Sequence, residues 1–215
     1  ILGGIKGRRL MTELHKIISD ILAPYSKEPK SNEMKEAKDK FIELTGRLDE
    51  DSREYESRLN SFEEWFIFEY ENQKVLNDYL ESKEEPLEQY VVEGLKNINH
   101  SVFHFKKINF FNKAIFVDLI NKNTIKIPNK KMDLTLVEGD LFVGRIFSNE
   151  KDYSLLKGIC LLPEDSYKPI NKRIKKIRKS LDADTKQSFL MQIEKLKNKS
   201  IHYGHVKAKD LFIFE

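Results

Sequence analysis

The spacing of the apolar residues changes near His100, and this change limits the folds open to the chain. Before His100, apolar residues recur every three or four positions, as on one face of an α-helix. After it, short runs rich in Phe, Val and Ile alternate with turn residues, which is typical of β-strands. The sequence therefore predicts an α+β fold.

Apolar stripes predict four helices in the N-terminal part. The first covers about residues 9–22, the second runs from a capping Ser31 to Gly46, the third starts near residues 49–52, and the fourth starts at Pro86. The third helix carries Trp65 and Phe68 on the flank of its main stripe. We therefore expect it to be the central helix, covered by the other helices and by the β-strands.

Five short strands are predicted in the middle of the chain, over residues 102–111, 113–120, 124–127, 141–147 and 153–162. An antiparallel sheet curled into a small barrel would hide their edges. Two further helices follow, the first with an Ile170–Ile174 seam and the second capped by Asp182 or Asp184. Residues 210–214 are predicted to form a short last strand.

These elements divide the chain into three segments. Residues 1–99 are the helical region, residues 100–163 are the small antiparallel β module, and residues 164–215 are a basic helical hairpin with a short terminal strand. We expect the helical region to pack on the sheet or barrel and the hairpin to close the structure. A chain of 215 residues can bury a core of this kind without disulfides or metals.

Cysteine usage and hydropathy predict where the protein resides. The single cysteine, Cys160, excludes a disulfide framework within the chain and favours a reducing compartment. No apolar run reaches the length of a membrane span, and charged residues interrupt the apolar segment 10–22. We expect a cytoplasmic protein with no membrane contact.

Several short segments carry a resemblance to a known family. They are Phe41-x-x-Leu-Thr-Gly-Arg47, Phe62-x-Glu-Trp-Phe66, Val117-Asp-Leu119, Gly139-Asp-Leu141 and Tyr203-Gly-His-Val206. Together they resemble an uncharacterised family of bacterial proteins, common in delta-proteobacteria-like genomes, over most of the chain from Phe41 onward. Related sequences sometimes lie beside zinc-binding SEC-C modules, whose cysteines this chain lacks. The resemblance implies an architecture and no established function.

Candidate catalytic and metal-binding residues are few. Glu64 lies beside Trp65 and could act as a general acid if burial raised its pKa, although a solvated carboxylate is the more common case. His202 and His205 have a metal-compatible spacing but no third local ligand. Cys160 lies in an apolar strand and is expected to be an inert buried thiol. No phosphate-binding glycine loop is present. We therefore predict no metal, no cofactor and no enzymatic activity.

Charge is distributed unevenly along the chain. Residues 43–93 contain 16 acidic and 5 basic residues, whereas residues 166–209 contain 13 basic and 3 acidic residues. The basic residues concentrate on one predicted helix, which phosphate backbones would attract, and exposed aromatic rings of the β module could stack on bases. Phe110 and Phe111 are aromatic candidates for exposure. The residues assigned to a nucleic-acid interface are Lys172, Arg173, Lys175, Lys176, Arg178, Lys179, Phe105 and Tyr153.

Three functions remain open at this point. The first is a non-enzymatic binding protein associated with RNA, the ribosome or another nucleic acid through the basic helix. The second is a protein-interaction adaptor or homodimer, in which the acidic and basic regions face a partner or each other. The third is an enzyme that uses Glu64, which a pocket holding Glu64, His104 and another polar residue would favour.

Overall fold

The apolar stripes of the N-terminal part form helices that pack on one another. The computed structural model describes residues 13–129, 132, 135–149, 152–180, 182–203 and 206–214. Its first five helices are α1 (residues 13–22), α2 (Lys30–Thr45), α3 (Tyr55–Phe68), α4 (Lys74–Ser82) and α5 (Gln89–Lys96). Short 3-10 turns at Ala23–Ser26 and Tyr70–Asn72 lie between them. The part of the first predicted helix before residue 13 lies outside the described residues.

Helix α3 is the centre of the N-terminal core, as predicted. Its side chains from Phe62 to Phe68 are buried except for Glu63, because helices and the β-strands cover it on several sides. The rings of Phe62 and Trp65 lie 5.6 and 5.5 Å from the ring of Phe41 in α2. Such tilted aromatic pairs add to the stabilisation that comes from burying the rings.

The helix ends agree only in part with the prediction. Gly46 ends α2 at a positive φ of 91°, and its N–H donates to the Ile42 carbonyl at 2.8 Å. Ser31 is not the N-cap, because α2 begins at Lys30 directly after Pro29. Helix α3 begins at Tyr55, later than predicted. The helix predicted to begin at Pro86 is α5, which begins slightly later at Gln89, and α4 is an additional helix that the stripes did not predict.

The strands form one antiparallel sheet, which confirms the predicted α+β class. They are β1 (Asn99–Ile108), β2 (Lys113–Asp118), β3 (Thr124–Pro128), β4 (Leu141–Ser148), β5 (Tyr153–Leu155) and β6 (Cys160–Leu162). The order is β3-β2-β1-β4-β5, and β6 also pairs with β4. The predicted strand over residues 153–162 is therefore two strands on successive stretches of one edge of β4. The sheet curls into a half-barrel in which β3 contacts β5.

The C-terminal region covers one face of the sheet. It contains α6 (Tyr167–Ile177), α7 (Ala183–His202) and α8 (Ala208–Leu211). The α6 seam residues Ile170 and Ile174 pack with Val102 and Val143 on that face, as the stripe predicted. Asp182 caps α7 by accepting the Thr185 N–H at 2.7 Å. The predicted last strand over residues 210–214 is wrong, because α8 extends to Leu211 and residues 212–214 are irregular.

Helix α7 joins the two parts of the structure. Met191 packs in the N-terminal helical core, whereas Phe189 and Ile193 pack against the sheet. Asn198 donates to the carbonyl oxygens of Thr45 and Arg47 at 3.4 and 2.8 Å. The C-terminal segment thus completes the core of the N-terminal one.

Candidate functional site

The exposed face of α6 carries a row of lysines. Ile170 and Ile174 are fully buried beneath the helix, so the side chains opposite them point to solvent. Lys172, Lys175 and Lys176 are exposed there, and Lys168 and Lys179 extend the row at either end. At a rise of about 1.5 Å per residue, the row from Lys168 to Lys179 is about 16 Å long.

The two arginines of the predicted interface contribute less to this face. Arg178 donates from Nε to the Ile120 carbonyl at 3.0 Å and from Nη2 to the Leu119 carbonyl at 2.6 Å. These bonds fasten the end of α6 to the turn after β2. Arg173 is half-buried, and its Nε is among the buried atoms of the described chain that have no hydrogen-bond partner. The solvated cations on α6 are therefore its lysines.

Part of the charge asymmetry is balanced within the fold. Lys197 of α7 forms a 2.7 Å ion pair with Glu54, and Lys195 donates to the Glu43 carbonyl at 3.0 Å. Helix α7 also packs directly against α2, whereas α6 packs against the sheet and α8. The ion pair between the two segments is thus made by Lys197 of α7, whereas the α6 lysines face solvent.

The two aromatic residues assigned to the interface do not join this face. Phe105 is only 1% exposed and packs against Phe116 at 5.2 Å, so its assignment as a base-stacking ring is wrong. It points inward because it alternates along β1 with Val102 and His104, which face the C-terminal helices. Tyr153 is 39% exposed, but it precedes Leu155 by two residues and shares that residue's face of the sheet, opposite α6.

A buried charge cluster that the sequence analysis missed lies between α3 and the sheet. Arg145 of β4 is 0% exposed, and its Nε donates to Glu69 Oε1 at 2.7 Å. Its Nη1 lies 3.6 Å from Glu64 Oε2. His100 Nδ1 lies 2.9 Å from the same Glu69 oxygen, and the Gly158 N–H donates to Glu64 Oε1 at 2.7 Å. A single guanidinium therefore lies between the carboxylate of Glu64 in α3 and that of Glu69 directly after the helix.

Burial and mutual charge shift the pKa values of these groups in opposite directions. Burial raises the pKa of Glu64 to about 7 despite the opposing effect of Arg145. Burial also acts to raise the pKa of Glu69, but Arg145 and His100 outweigh it and lower that pKa to about 2. Burial, followed by the Arg145 charge, lowers the pKa of His100 to about 4. At neutral pH His100 is thus uncharged, with its proton on Nδ1 toward Glu69.

A second buried carboxylate extends the cluster toward α7. Glu194 is buried, lies 4.0 Å from Arg58 Nη1 and accepts from Ser61 Oγ at 3.4 Å. Arg58 in turn donates to the Gly46 carbonyl at 2.8 Å. Burial raises the pKa of Glu194, with Arg145 and Arg58 opposing the shift. The charges of α3, β4 and α7 are therefore electrostatically linked.

Two cavities flank this cluster. One of about 360 Å³ is lined by Glu69, His100 and Lys186. The other, of about 440 Å³, is lined by Glu64 together with residues of α1. His104 lines a separate cavity beside Tyr167. Glu64 and His104 therefore line two different cavities rather than one.

The cavity beside His100 has two features that are common at ligand sites. His100 is 6% exposed, and its Nε2 has no hydrogen-bond partner among the described residues. Two residues that line the cavity, Asn72 and Gln73, are non-glycine residues at positive φ, and so is Glu71 directly before them. Each such residue costs of order 1 kcal/mol, and strain of this kind concentrates at functional sites.

The remaining candidates give no further site. Cys160 is buried as predicted, and burial raises the pKa of its thiol, which keeps the thiol protonated. His205 and the side chain of His202 lie outside the described residues. No helix in the part of the chain that the structure covers is long and apolar enough to cross a membrane.

The fold and the charge cluster define an α+β protein in which a buried arginine of the half-barrel sheet, Arg145, forms an ion pair with Glu64 of the central helix. Residues 8–199 match a family of unknown function, DUF7986. The chain belongs to this family, which confirms the resemblance to an uncharacterised family. No curated protein and no solved structure is significantly similar to the chain.

Proposed function

We propose that the protein is a non-enzymatic nucleic-acid-binding protein, associated with RNA or the ribosome, that binds phosphates on the lysine face of α6. The observation that carries this proposal is the row from Lys168 to Lys179 on a helix whose other face is fully buried. Buried Ile170 and Ile174 and the bonds of Arg178 hold the row in a fixed orientation. A phosphate backbone that contacts such a row releases condensed counterions, which favours binding.

An acidic protein partner is the alternative for the same face. One acidic and one basic residue of the two segments pair within the fold, since Lys197 of α7 forms an ion pair with Glu54, and this pair reduces the charge that a partner would have to balance. No apolar side chain of α6 itself is exposed, whereas protein interfaces are usually built around buried apolar anchors. These points favour a polyanion over a protein.

Changing Lys172, Lys175, Lys176 and Lys179 together to Gln should weaken nucleic-acid binding about tenfold to a hundredfold. The slope of log affinity against log salt should fall by about 3, because each lost phosphate contact removes roughly 0.7–0.9 from it. The measurement is fluorescence anisotropy with labelled RNA and DNA, single-stranded and duplex, over a salt series.

The matched control removes the same charge elsewhere, by changing the exposed Lys27, Lys30, Lys35 and Lys40 to Gln. These residues lie in and just before α2. If both variants lose affinity equally, binding follows net charge rather than the α6 face. If the parent protein binds none of the oligonucleotides at low salt, the proposal is wrong and an acidic protein partner becomes the next candidate.

A second candidate function is binding of a small molecule in the cavity beside His100. The unpartnered Nε2 favours it, because a neutral imidazole with its proton on Nδ1 presents an acceptor there. Lys186 lines the same cavity, and burial lowers the pKa of its ammonium. A matching ligand would place a hydroxyl or N–H against His100 and an oxygen against Lys186.

The His100→Asn substitution tests this second function. Asn can keep the hydrogen bond to Glu69 while removing the far edge of the ring, so ligand binding should be lost with the fold intact. In a thermal-shift survey of small hydroxylated metabolites, a true ligand should raise the Tm of the parent and leave that of the variant unchanged. Equal shifts in both proteins would place the ligand elsewhere.

A further inference from the structure

Two phenylalanines stand in solvent at the tip of the β1–β2 hairpin. Phe110 is 99% exposed and Phe111 is 77% exposed, and their rings contact each other edge to face at 5.8 Å. Ile108, at the end of β1, is also exposed. Large apolar side chains at this level of exposure contribute nothing to a core, and clusters of them mark interaction sites.

The hydrogen bonds that stabilise the hairpin turn do not involve the two phenylalanine side chains. Asn109 accepts the N–H groups of Phe111 and Lys113 on its side-chain oxygen at 3.0 and 2.9 Å. The Asn112 N–H donates to the Asn109 carbonyl at 2.9 Å, and Asn112 adopts a positive φ of 53°. The two asparagines thus satisfy the turn, a role these residues commonly play. Nothing in the turn geometry requires aromatic residues at positions 110 and 111.

Positive charge surrounds the exposed rings. Lys106, Lys107 and Lys113 are exposed on the two strands of the hairpin, and Lys126 is exposed on the adjacent β3. Glu138 is the acidic neighbour that the hydrogen bonds identify, since it accepts the Ile108 N–H at 3.3 Å. The tip is therefore an aromatic pair within a cationic surface, which suits a ligand that is both anionic and aromatic.

We propose that the hairpin tip binds single-stranded nucleic acid by stacking Phe110 and Phe111 on unpaired bases while the neighbouring lysines contact phosphates. This inference rests on the proposed nucleic-acid function and names its ligand class. Stacking of this kind tolerates any base, because every base has an aromatic face. Bases in a duplex are already stacked on each other, so the rings select for single strands.

The hairpin tip lies past the N-terminal end of α6, where the lysine row begins. The Tyr167 ring, at the first residue of α6, lies 5.4 Å from the His104 ring of β1. From His104 the hairpin continues for six residues to Phe110, a path of about 20 Å for an extended chain. The exposed Glu164 and Asp165 lie just before α6 and would repel a phosphate backbone there.

The experiment compares the Phe110→Ala/Phe111→Ala double variant with the parent, using a labelled 20-nucleotide poly-uridine strand and a duplex RNA of equal length. The variant should bind the single strand about tenfold or more weakly with an unchanged salt slope, and the duplex within about twofold of the parent. Ile213→Ala, at another exposed apolar residue, is the control and should change neither affinity. A Phe111→Trp variant adds a direct signal, because the single native tryptophan, Trp65, is buried.

The outcomes separate this inference from the proposed function. If the parent binds in a salt-dependent way and the double variant binds equally well, the inference is overturned while the α6 proposal stands. If the α6 lysine variant binds normally and the double variant does not, the hairpin inference stands alone. No binding by the parent overturns both. If the emission of the Phe111→Trp variant responds to vesicles of phosphatidylserine and phosphatidylcholine but not to poly-uridine, the hairpin inference is overturned and the tip binds a lipid surface instead.

Discussion

We expect the Arg145→Met substitution to lower the free energy of unfolding by about 3–5 kcal/mol, the usual cost of removing one partner from a buried ion pair. Arg145 is fully buried between Glu64 and Glu69, and Met fills much of the same volume. The loss arises because Glu69 would keep its negative charge with His100 as its remaining hydrogen-bond partner among the described residues. Urea unfolding with linear extrapolation measures it.

Two further variants show whether the loss in Arg145→Met comes from the buried ion pair. Lys74→Met removes a cation from two partly exposed ion pairs, with Asp78 and Glu33, and should cost less than about 1 kcal/mol. Adding Glu64→Gln and Glu69→Gln to Arg145→Met neutralises the stranded carboxylates and should recover part of the loss. A loss below about 1 kcal/mol in Arg145→Met would show that Arg145 does not stabilise the two carboxylates.

Acid should destabilise the protein through His100 as the pH falls from about 6.5 to 4. In the unfolded chain His100 binds a proton near its ordinary pKa of about 6.5, whereas in the fold its pKa is about 4. The unfolded state therefore binds more protons in this window, and stability falls as the pH falls. The full effect is about 3 kcal/mol. The charged groups that act on His100 are Glu69, Arg145 and Lys186.

The His100→Asn variant isolates this titration. The stability of the parent relative to the variant should fall by up to about 3 kcal/mol between pH 7.5 and pH 4 in urea unfolding. Glu64 acts in the opposite direction, since its raised pKa of about 7 gives stability that is present below pH 4.5 and lost as the pH rises through 7. That contribution is common to both proteins and cancels in the difference. Parallel stability curves would show that His100 does not titrate as described.

The helices predicted from apolar stripes of several turns agree with the structure, and the elements that were predicted wrongly or missed have physical causes. The seam of α6 and the apolar girth of α3 follow from helical spacing over several turns. Helix α4 was missed because it has only nine residues, of which Val75 and Leu76 are buried. The last strand was predicted from apolar residues 211–214, but Phe212 packs with the C-terminal helices rather than pairing in the sheet.

The candidate site was harder to predict because its partners are far apart in sequence. Glu69 and Arg145 are separated by 76 residues, and no local spacing connects them. One signal was present: Arg145 is a lone cation in the apolar strand 141–147, where a buried charge requires a partner. Phe105 was misassigned because alternation along β1 indicates that two faces exist without indicating which of them solvent reaches.

The contacts between α7 and the N-terminal helices also set the order in which the chain can fold during synthesis. Lys195 bonds to the Glu43 carbonyl across 152 residues, and Asn198 reaches the carbonyl of Arg47. At about 5–20 residues per second, a ribosome needs roughly 8–30 s to make that stretch. Until then the surfaces of α2 and α3 that α7 covers remain open, and late non-local closure of this kind is slow. The N-terminal helices are thus made well before α7, but their packing is completed only after α7 has been synthesised.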